Sequence, residues 1–289
     1  MKKIAILQLL FLLFTTALSC TDHLPPENPS GHLRVKSITQ THPNDNGVAN
    51  VTEFYYAAGN QLSYLKSYQT PDSNLAVRAR TIYNFDDNLL SSVVRNFSDM
   101  KSEKYQFTYN QNRQFNKLDY TSTSDDFYNM TFDYNGNVLK ESKRKFSFSS
   151  ISFEKDIQYN FNGSNLQTAS STTTFTKNVS SVTNSTSSYT YDDKINPFYG
   201  NFIIPAPNGP TRPSQGNSTY YTFFGGVDNV LSLSENNILS ETTTENYTTT
   251  YEYTYNTDGL PLTRVTKQNN GPENSNAVTE TLLFDYETY

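Results

Sequence analysis

The chain has 289 residues, a formal net charge of −6 at pH 7 and a sequence pI of about 5.1. An acidic balance of this kind lacks the basic surface that nucleic acids attract, so we expect no nucleic-acid partner. Aromatic residues make up 14% of the chain, with 22 Tyr, 19 Phe and no Trp, and this composition favours strands and turns over helices.

The start of the chain predicts an export signal over residues 1–19. Two lysines precede an apolar run at residues 4–14, and small and polar residues follow, as in a secretory signal peptide. The one cysteine of the sequence, Cys20, comes directly afterwards, so a disulfide within the chain is impossible. The segment "ALSC" resembles the lipobox of bacterial lipoproteins, in which the cysteine becomes the lipidated first residue. We therefore predict lipidation at Cys20, and the alternative is a plain signal peptide with a chance cysteine.

Residues 20–32 predict a flexible spacer behind the lipidated cysteine. The stretch "TDHLPPENPSGH" holds three prolines and a glycine among few apolar residues, so it cannot bury enough surface to fold. It would hold a folded domain, residues 33–289, away from a membrane. This arrangement predicts a protein of the cell envelope, attached to the outer membrane through its lipid, and leaves open which face of the membrane it occupies.

An aromatic-x-aromatic triplet recurs along the folded part at steps of 24 to 32 residues. A nearly fixed step is the signature of an internal repeat. The last aromatic residues of the nine triplets are Tyr56, Phe85, Tyr109, Tyr134, Phe161, Tyr191, Phe223, Tyr255 and Tyr286.

Each repeat has the pattern of a β-hairpin. Alternating aromatic and polar residues indicate a strand with one apolar face, and turn sequences such as "NGN" (135–137) and "TDG" (257–259) follow before a second apolar run. We predict an all-β fold, an antiparallel meander of repeated β-hairpins that forms one extended, twisted or curled sheet. A half-barrel and a two-layer stack are the alternatives.

Two repeat units, "FDYNGNVLKE" (132–141) and "YTYNTDGLPLTR" (253–264), resemble the YD repeats of Rhs-type proteins. The elements "DDKINPF" (192–198) and "SENN" (234–237) extend this resemblance to the uncharacterised YD-repeat-like lipoproteins of Bacteroidota cell envelopes. The resemblance implies an envelope lipoprotein and brings no catalytic residues with it.

A loop at residues 195–217 interrupts the repeat. It holds five prolines and three glycines, which exclude a central strand, and a loop of this length is often functional. Exposed Phe198, Tyr199 and Phe202 would make a ligand-binding patch. The alternatives are that these residues cap an open edge or end of the sheet, or that a domain boundary lies here.

The sequence provides few groups for catalysis. All three histidines lie within the first 42 residues, so the repeat region can build neither a Cys/His zinc site nor a Ser-His-Asp triad. No nucleotide-binding motif occurs, so we expect no cofactor, no metal and no enzymatic activity. Three carboxylate pairs allow an alternative, a carbohydrate-active enzyme with two acids, although turn positions favour capping of backbone amides. The pairs are Asp86-Asp87, Asp125-Asp126 and Asp192-Asp193.

Together these patterns predict a non-enzymatic envelope lipoprotein with a binding or structural role. The ligand would be a polysaccharide or another envelope protein, because Tyr rings suit both kinds of surface. An integral outer-membrane barrel is disfavoured, because the expected outward positions are Thr, Ser, Asn, Glu and Lys and make no apolar band.

Overall fold

The computed structural model describes residues 32–43, 47–71, 79–98, 100–123, 127–148, 151–200, 230–245, 247–269 and 277–289. The predicted signal, Cys20 and the spacer up to residue 31 lie outside this range, as do Phe202 and most of the loop that interrupts the repeat.

Sixteen strands and one short 3-10 helix, Val230–Ser232, make up the regular structure of the described residues. The strands are β1 (Leu33–Thr41), β2 (Ala49–Tyr56), β3 (Leu62–Thr70), β4 (Ala79–Asp86), β5 (Leu89–Phe97), β6 (Ser102–Tyr109), β7 (Phe115–Ser122), β8 (Phe127–Asn135), β9 (Val138–Phe148), β10 (Ile151–Asn162), β11 (Asn165–Lys177), β12 (Val179–Ile195), β13 (Asn236–Thr243), β14 (Thr248–Tyr255), β15 (Pro261–Asn269) and β16 (Ala277–Thr288).

The strands form an antiparallel meander that closes into a barrel. Each strand pairs with its successor in the sequence, and β16 pairs with β1. The predicted all-β meander is confirmed, whereas the prediction of an extended, twisted or curled open sheet is wrong. An open meander would leave β1 and β16 as unpaired edges, and closure removes both. Side chains also connect the first and last strands. Gln40 Nε2 donates to Glu280 at 2.6 Å, and His42 Nδ1 lies 2.8 Å from Thr279 O.

A β-bulge recurs opposite the last two residues of the aromatic triplet. In seven strand pairs the register shifts by one residue at that position, as between Tyr55 and Tyr56 and between Thr108 and Tyr109. The second strand carries the extra residue, because Tyr55 pairs with Tyr64 while Tyr56 pairs with Leu62. Such a bulge twists the strand end and redirects the side chains beside the turn.

The last tyrosine of several triplets ties its hairpin to the preceding one. Its hydroxyl donates to a main-chain carbonyl between 19 and 25 residues earlier. A buried hydroxyl needs such an acceptor, so this bond accounts for tyrosine at these positions. The pairs are Tyr56 with Val35, Tyr109 with Leu90, Tyr191 with Leu166, and Tyr286 with Pro261.

Most of the buried side chains are apolar and most charged side chains face outward, with Arg95, Arg144 and Arg264 as buried exceptions. The inward positions supply one continuous core, in which Ile38, Leu65, Val93, Leu118 and Leu166 are completely buried. Arg264 and Glu280 form a buried ion pair, as do Arg95 and Glu103. Further ion pairs lie on the outer wall. They join Lys143 to Glu154 and Asp156, Lys117 to Asp119, and Lys36 to Asp285.

The chain divides into a large unit, Val35–Glu287, and a small one whose described residues are 32–34 and 288–289. Within the small unit, Tyr289 N donates to His32 O at 3.0 Å, and the Arg34 guanidinium lies 5.2 Å from the centre of the Tyr289 ring. Among the residues placed by the structure, no helix is long and apolar enough to cross a membrane.

Candidate functional site

The elements "DDKINPF" and "SENN", 36 residues apart in the sequence, come together at the end of β12. Asp192 Oδ1 accepts hydrogen bonds from Lys194 N at 3.0 Å and from Asn237 N at 3.1 Å. The Tyr255 hydroxyl donates to Asp192 Oδ2. Burial and this bond raise the pKa of Tyr255 far above its ordinary value, so the hydroxyl keeps its proton.

Asparagine amides in the two elements bind main-chain carbonyls of the opposite segment. Asn196 Nδ2 donates to Ser234 O at 2.9 Å, and Asn237 Nδ2 donates to Ile195 O at 3.1 Å. Both asparagines are buried. The network holds together the two chain segments that flank residues 201–229, and we interpret it as structural, because its bonds serve neighbouring backbone groups.

Two of the three residues that the sequence predicted as a ligand-binding patch, Phe198 and Tyr199, differ in their exposure. Phe198 is 8% exposed, and its ring centre lies 6.4 Å from those of Phe54 on β2 and Phe284 on β16. It therefore belongs to the core. Tyr199 is 46% exposed, and Phe202 lies outside the described residues. A ligand-binding role for Phe198, Tyr199 and Phe202 stays a prediction.

The two carboxylate pairs within the described residues lie on different strands, Asp86 at the end of β4 and Asp192-Asp193 in β12. Asp87 follows β4 in a tight turn and pairs with Arg113 at 2.5 Å. Asp192 binds backbone amides, whereas Asp193 pairs with Lys194 on the surface. Asp125 and Asp126 lie outside the described residues. Within the part of the chain that is described, no three His, Cys, Asp or Glu side chains are grouped to hold a metal ion.

A patch of aromatic and polar side chains lies on the outer wall, where the sequence predicted no site. We call it the outer-wall patch and define it as Glu53, Tyr55, Tyr64, Lys66, Tyr68, Arg80 and Asn96. The register places Glu53 opposite Lys66, Lys66 opposite Arg80, and Arg80 opposite Asn96. These four residues therefore form one row across β2 to β5. They point outward, because their strand neighbours Phe54, Leu65, Thr81 and Arg95 are buried.

Tyrosine rings flank this row on both sides. The rings of Tyr55 and Tyr64 are stacked, with centres 4.3 Å apart and planes inclined by 10°. The Arg80 guanidinium lies 4.5 Å from the centre of the Tyr64 ring, and Lys66 Nζ lies 5.0 Å from that of Tyr68. Stacking and cation–π contacts hold these side chains in fixed orientations.

Glu53 connects the row to the tyrosines. It accepts hydrogen bonds from Tyr55 at 2.7 Å, Tyr68 at 2.8 Å and Lys66 at 3.4 Å. Burial alone would raise the pKa of Glu53, but the donated hydrogen bonds and the Lys66 charge lower it. The bond to Glu53 raises the pKa of Tyr55 to about 12. The patch therefore holds one carboxylate, two cations and three tyrosines, and the pKa values of Tyr55 and Tyr68 are raised.

A cavity of about 230 Å³ opens beside the outer-wall patch. Ser67 lines it, and its hydroxyl is buried without a hydrogen-bond partner among the described residues. A concave site with aromatic walls and a few convergent polar groups is the usual form of a binding site for a small ligand group. The residues around the cavity are Lys66, Ser67, Tyr68, Ala79, Arg80, Asn96, Phe97 and Ser98.

Comparisons with known proteins bear on the fold. No protein-family model matches the sequence, and no curated protein does. The solved structure of a porin-like protein from Bacteroides uniformis is similar, with a TM-score of 0.54 and 13% identity over 88% of this chain and 98% of that one. A porin-like protein from Bacteroides vulgatus matches with a TM-score of 0.45 and 11% identity over 89% of this chain and 99% of that one. At these identities the likeness concerns the barrel fold, and the resemblance to YD-repeat-like lipoproteins stays a prediction.

Proposed function

We propose that this protein is a non-enzymatic lipoprotein of the cell envelope that binds a polysaccharide on the outer wall of its barrel. The observation that carries the proposal is the outer-wall patch, which combines fixed tyrosine rings, a row of polar groups and a cavity. The outer membrane is its proposed location, and the protein from Bacteroides uniformis, described as porin-like, supports this choice.

The core argues for binding rather than conduction. Side chains from all parts of the barrel meet in one cluster, including Phe107, Phe132, Tyr159 and Phe284. A barrel that conducts solutes needs a polar, water-filled interior. Here most of the large apolar side chains lie in the buried core, so a ligand has access to the outer wall and the two ends.

The outer wall argues for attachment through a lipid rather than insertion. A lipid-facing wall needs an apolar band about 25 Å tall, whereas charged residues such as Glu53, Lys66, Lys143 and Asp156 point outward here. Acyl chains on Cys20 would supply the attachment, since each buried methylene group contributes about 0.8 kcal/mol.

Carbohydrate fits the chemistry of the patch. Hydroxyl groups of a sugar can donate to Glu53 and accept from Arg80 and Asn96, while the apolar face of a pyranose ring can pack against tyrosine. Within the row the carboxylate of Glu53 is followed by two cations, Lys66 and Arg80, so the patch carries a small net positive charge that a neutral chain tolerates.

Binding of the detergent-solubilised full-length protein to a panel of neutral and acidic polysaccharides tests the proposal. We expect saturable binding to at least one neutral polysaccharide, and about tenfold weaker binding in Tyr55→Ala/Arg80→Ala, which corresponds to about 1.4 kcal/mol. Lys267→Ala is the control, because it removes a partly exposed cation on β15, which is three strands away from β2 in the closed barrel.

Three results would contradict this proposal. Loss of binding in Tyr199→Ala/Phe202→Ala, with Tyr55→Ala/Arg80→Ala unaffected, would place the site in the loop at residues 195–217. Hydrolysis of the bound polysaccharide that disappears in Asp192→Asn or Asp86→Asn would make the protein a carbohydrate-active enzyme. Binding to none of the polysaccharides would favour a protein partner.

A further inference from the structure

Strand β12 is longer than the strand beside it. It has 17 residues and pairs with β11 from Val179 onwards, whereas β13 has 8 residues and pairs with β12 only from Ser187 onwards. Among the described residues, none forms a backbone pair with the other side of β12 over residues 179–185. We call residues 179–185 the free edge.

The free edge lacks the features that usually protect an edge strand. Natural edges carry charged residues, prolines or bulges that prevent pairing with another chain. The free edge reads "VSSVTNS", without a charge or a proline, and its register with β11 is regular. Val179 is 79% exposed and Val182 is 61% exposed. The free edge is therefore able to pair with a further strand.

Hydrogen bonds beside the free edge show which backbone N–H and C=O groups of β12 point away from β11. Thr186 N donates to Thr244 Oγ1 at 3.2 Å, and Thr244 N donates to Thr186 O at 2.9 Å. Both backbone groups of Thr186 thus point away from β11. Because these groups alternate along an antiparallel strand, those of Ser180, Val182 and Asn184 point the same way.

We propose that the free edges of two copies of this chain pair antiparallel, with Val182 opposite Val182 of the second copy. A two-fold axis through this pair also places Ser180 opposite Asn184. Ser180, Val182 and Asn184 of each copy, whose backbone groups point away from β11, then exchange about six hydrogen bonds with the second copy. Each directly opposed pair of this type makes two. The side chains of Val182 from the two copies then meet on one face of the joined sheet.

The absence of charge on the free edge supports a second copy of the chain as its pairing partner. A two-fold axis brings like residues together, so a charge near the axis would face itself, and the free edge carries none. The same register brings the hairpin tip of one copy, with Lys177, towards the turn of the other copy that carries Glu245. Glu245 lies beside the free edge, since it accepts a hydrogen bond from Ser185 Oγ at 2.9 Å.

Sedimentation of the detergent-solubilised full-length protein over a range of concentrations tests the pairing. We expect a monomer–dimer equilibrium in the wild type and at least tenfold weaker association in Val182→Lys and in Val182→Glu. An equimolar mixture of these two variants should associate again, because opposite charges then meet at the centre. Val138→Lys is the control, since Val138 is 49% exposed on β9, away from the free edge.

A wild type that stays monomeric at every concentration would overturn the proposal, and so would Val182→Lys that dimerises as the wild type does. A mixture of Val182→Lys and Val182→Glu that stays monomeric would also contradict the register. The pairing does not depend on polysaccharide binding, so either proposal can fail without the other.

Discussion

Replacing Arg264 by alanine is expected to lower the free energy of unfolding by about 3–5 kcal/mol, because it removes one partner of a buried ion pair. The Arg264 side chain is 7% exposed, that of Glu280 is 15% exposed, and the atoms Nη2 and Oε1 lie 2.7 Å apart. Gln40 and Thr266 also donate to Glu280, but neither carries the charge that offsets its carboxylate. Denaturant unfolding monitored by circular dichroism measures the change.

Lys267→Ala on the same strand is the control for this variant. Lys267 pairs with Glu252 at 2.6 Å, but the two side chains are 26% and 60% exposed, so its loss should cost about 0–1 kcal/mol. Equal effects of the two variants would mean that burial of the Arg264 pair does not contribute to stability as described.

The same ion pair has a consequence for acid stability. Burial alone would raise the pKa of Glu280 above its ordinary value of 4.5, but Arg264 and the donated hydrogen bonds lower it. The stability from this lowered pKa is present above the ordinary value and is lost as the pH falls through the value in the folded protein. Arg264→Ala should therefore flatten the dependence of stability on pH in the acid range.

Replacing Phe198 by alanine is expected to destabilise the protein by about 3–5 kcal/mol, the usual cost of removing a buried phenylalanine. Its ring lies among core residues of β2 and β16, although its position in the sequence is close to β12. The loss would thus weaken packing between distant parts of the barrel. Thermal unfolding followed by calorimetry measures the effect.

Tyr199→Ala is the matched control, because the neighbouring side chain is 46% exposed and should change stability by about 0.5 kcal/mol or less. A small effect of Phe198→Ala, similar to that of Tyr199→Ala, would mean that Phe198 does not form part of the core in solution.

Local sequence patterns predicted the hairpins but not the closure of the barrel. Alternating aromatics and Asn or Gly turns determine the strands, and the turns predicted at residues 135–137 and 257–259 occur between β8 and β9 and between β14 and β15. Whether a meander closes depends on the accumulated twist and bulges of all sixteen strands and on contacts between residues such as Gln40 and Glu280, 240 positions apart. No local pattern contains that information.

The candidate site was hidden for a related reason. The sequence shows Tyr55, Tyr64 and Tyr68 as members of alternating strands, and core packing is the usual role of such residues. Their outward direction follows from the burial of their strand neighbours Phe54, Leu65 and Ser67, and the register places Tyr55 opposite Tyr64. Phe198 shows the converse error, since a Pro- and Gly-rich context suggested exposure while the fold buries this ring.

The most direct test of a lipid-anchored barrel with a hydrophilic outer wall is the extraction of membranes with alkaline carbonate. We expect the wild type to stay in the membrane pellet and the Cys20→Ser variant to be released as a folded, water-soluble barrel, because only the acyl chains would hold the protein to lipid. A Cys20→Ser variant that stays in the pellet, with its folded form migrating faster than its heated form in a gel, would contradict the account and indicate a barrel inserted in the membrane.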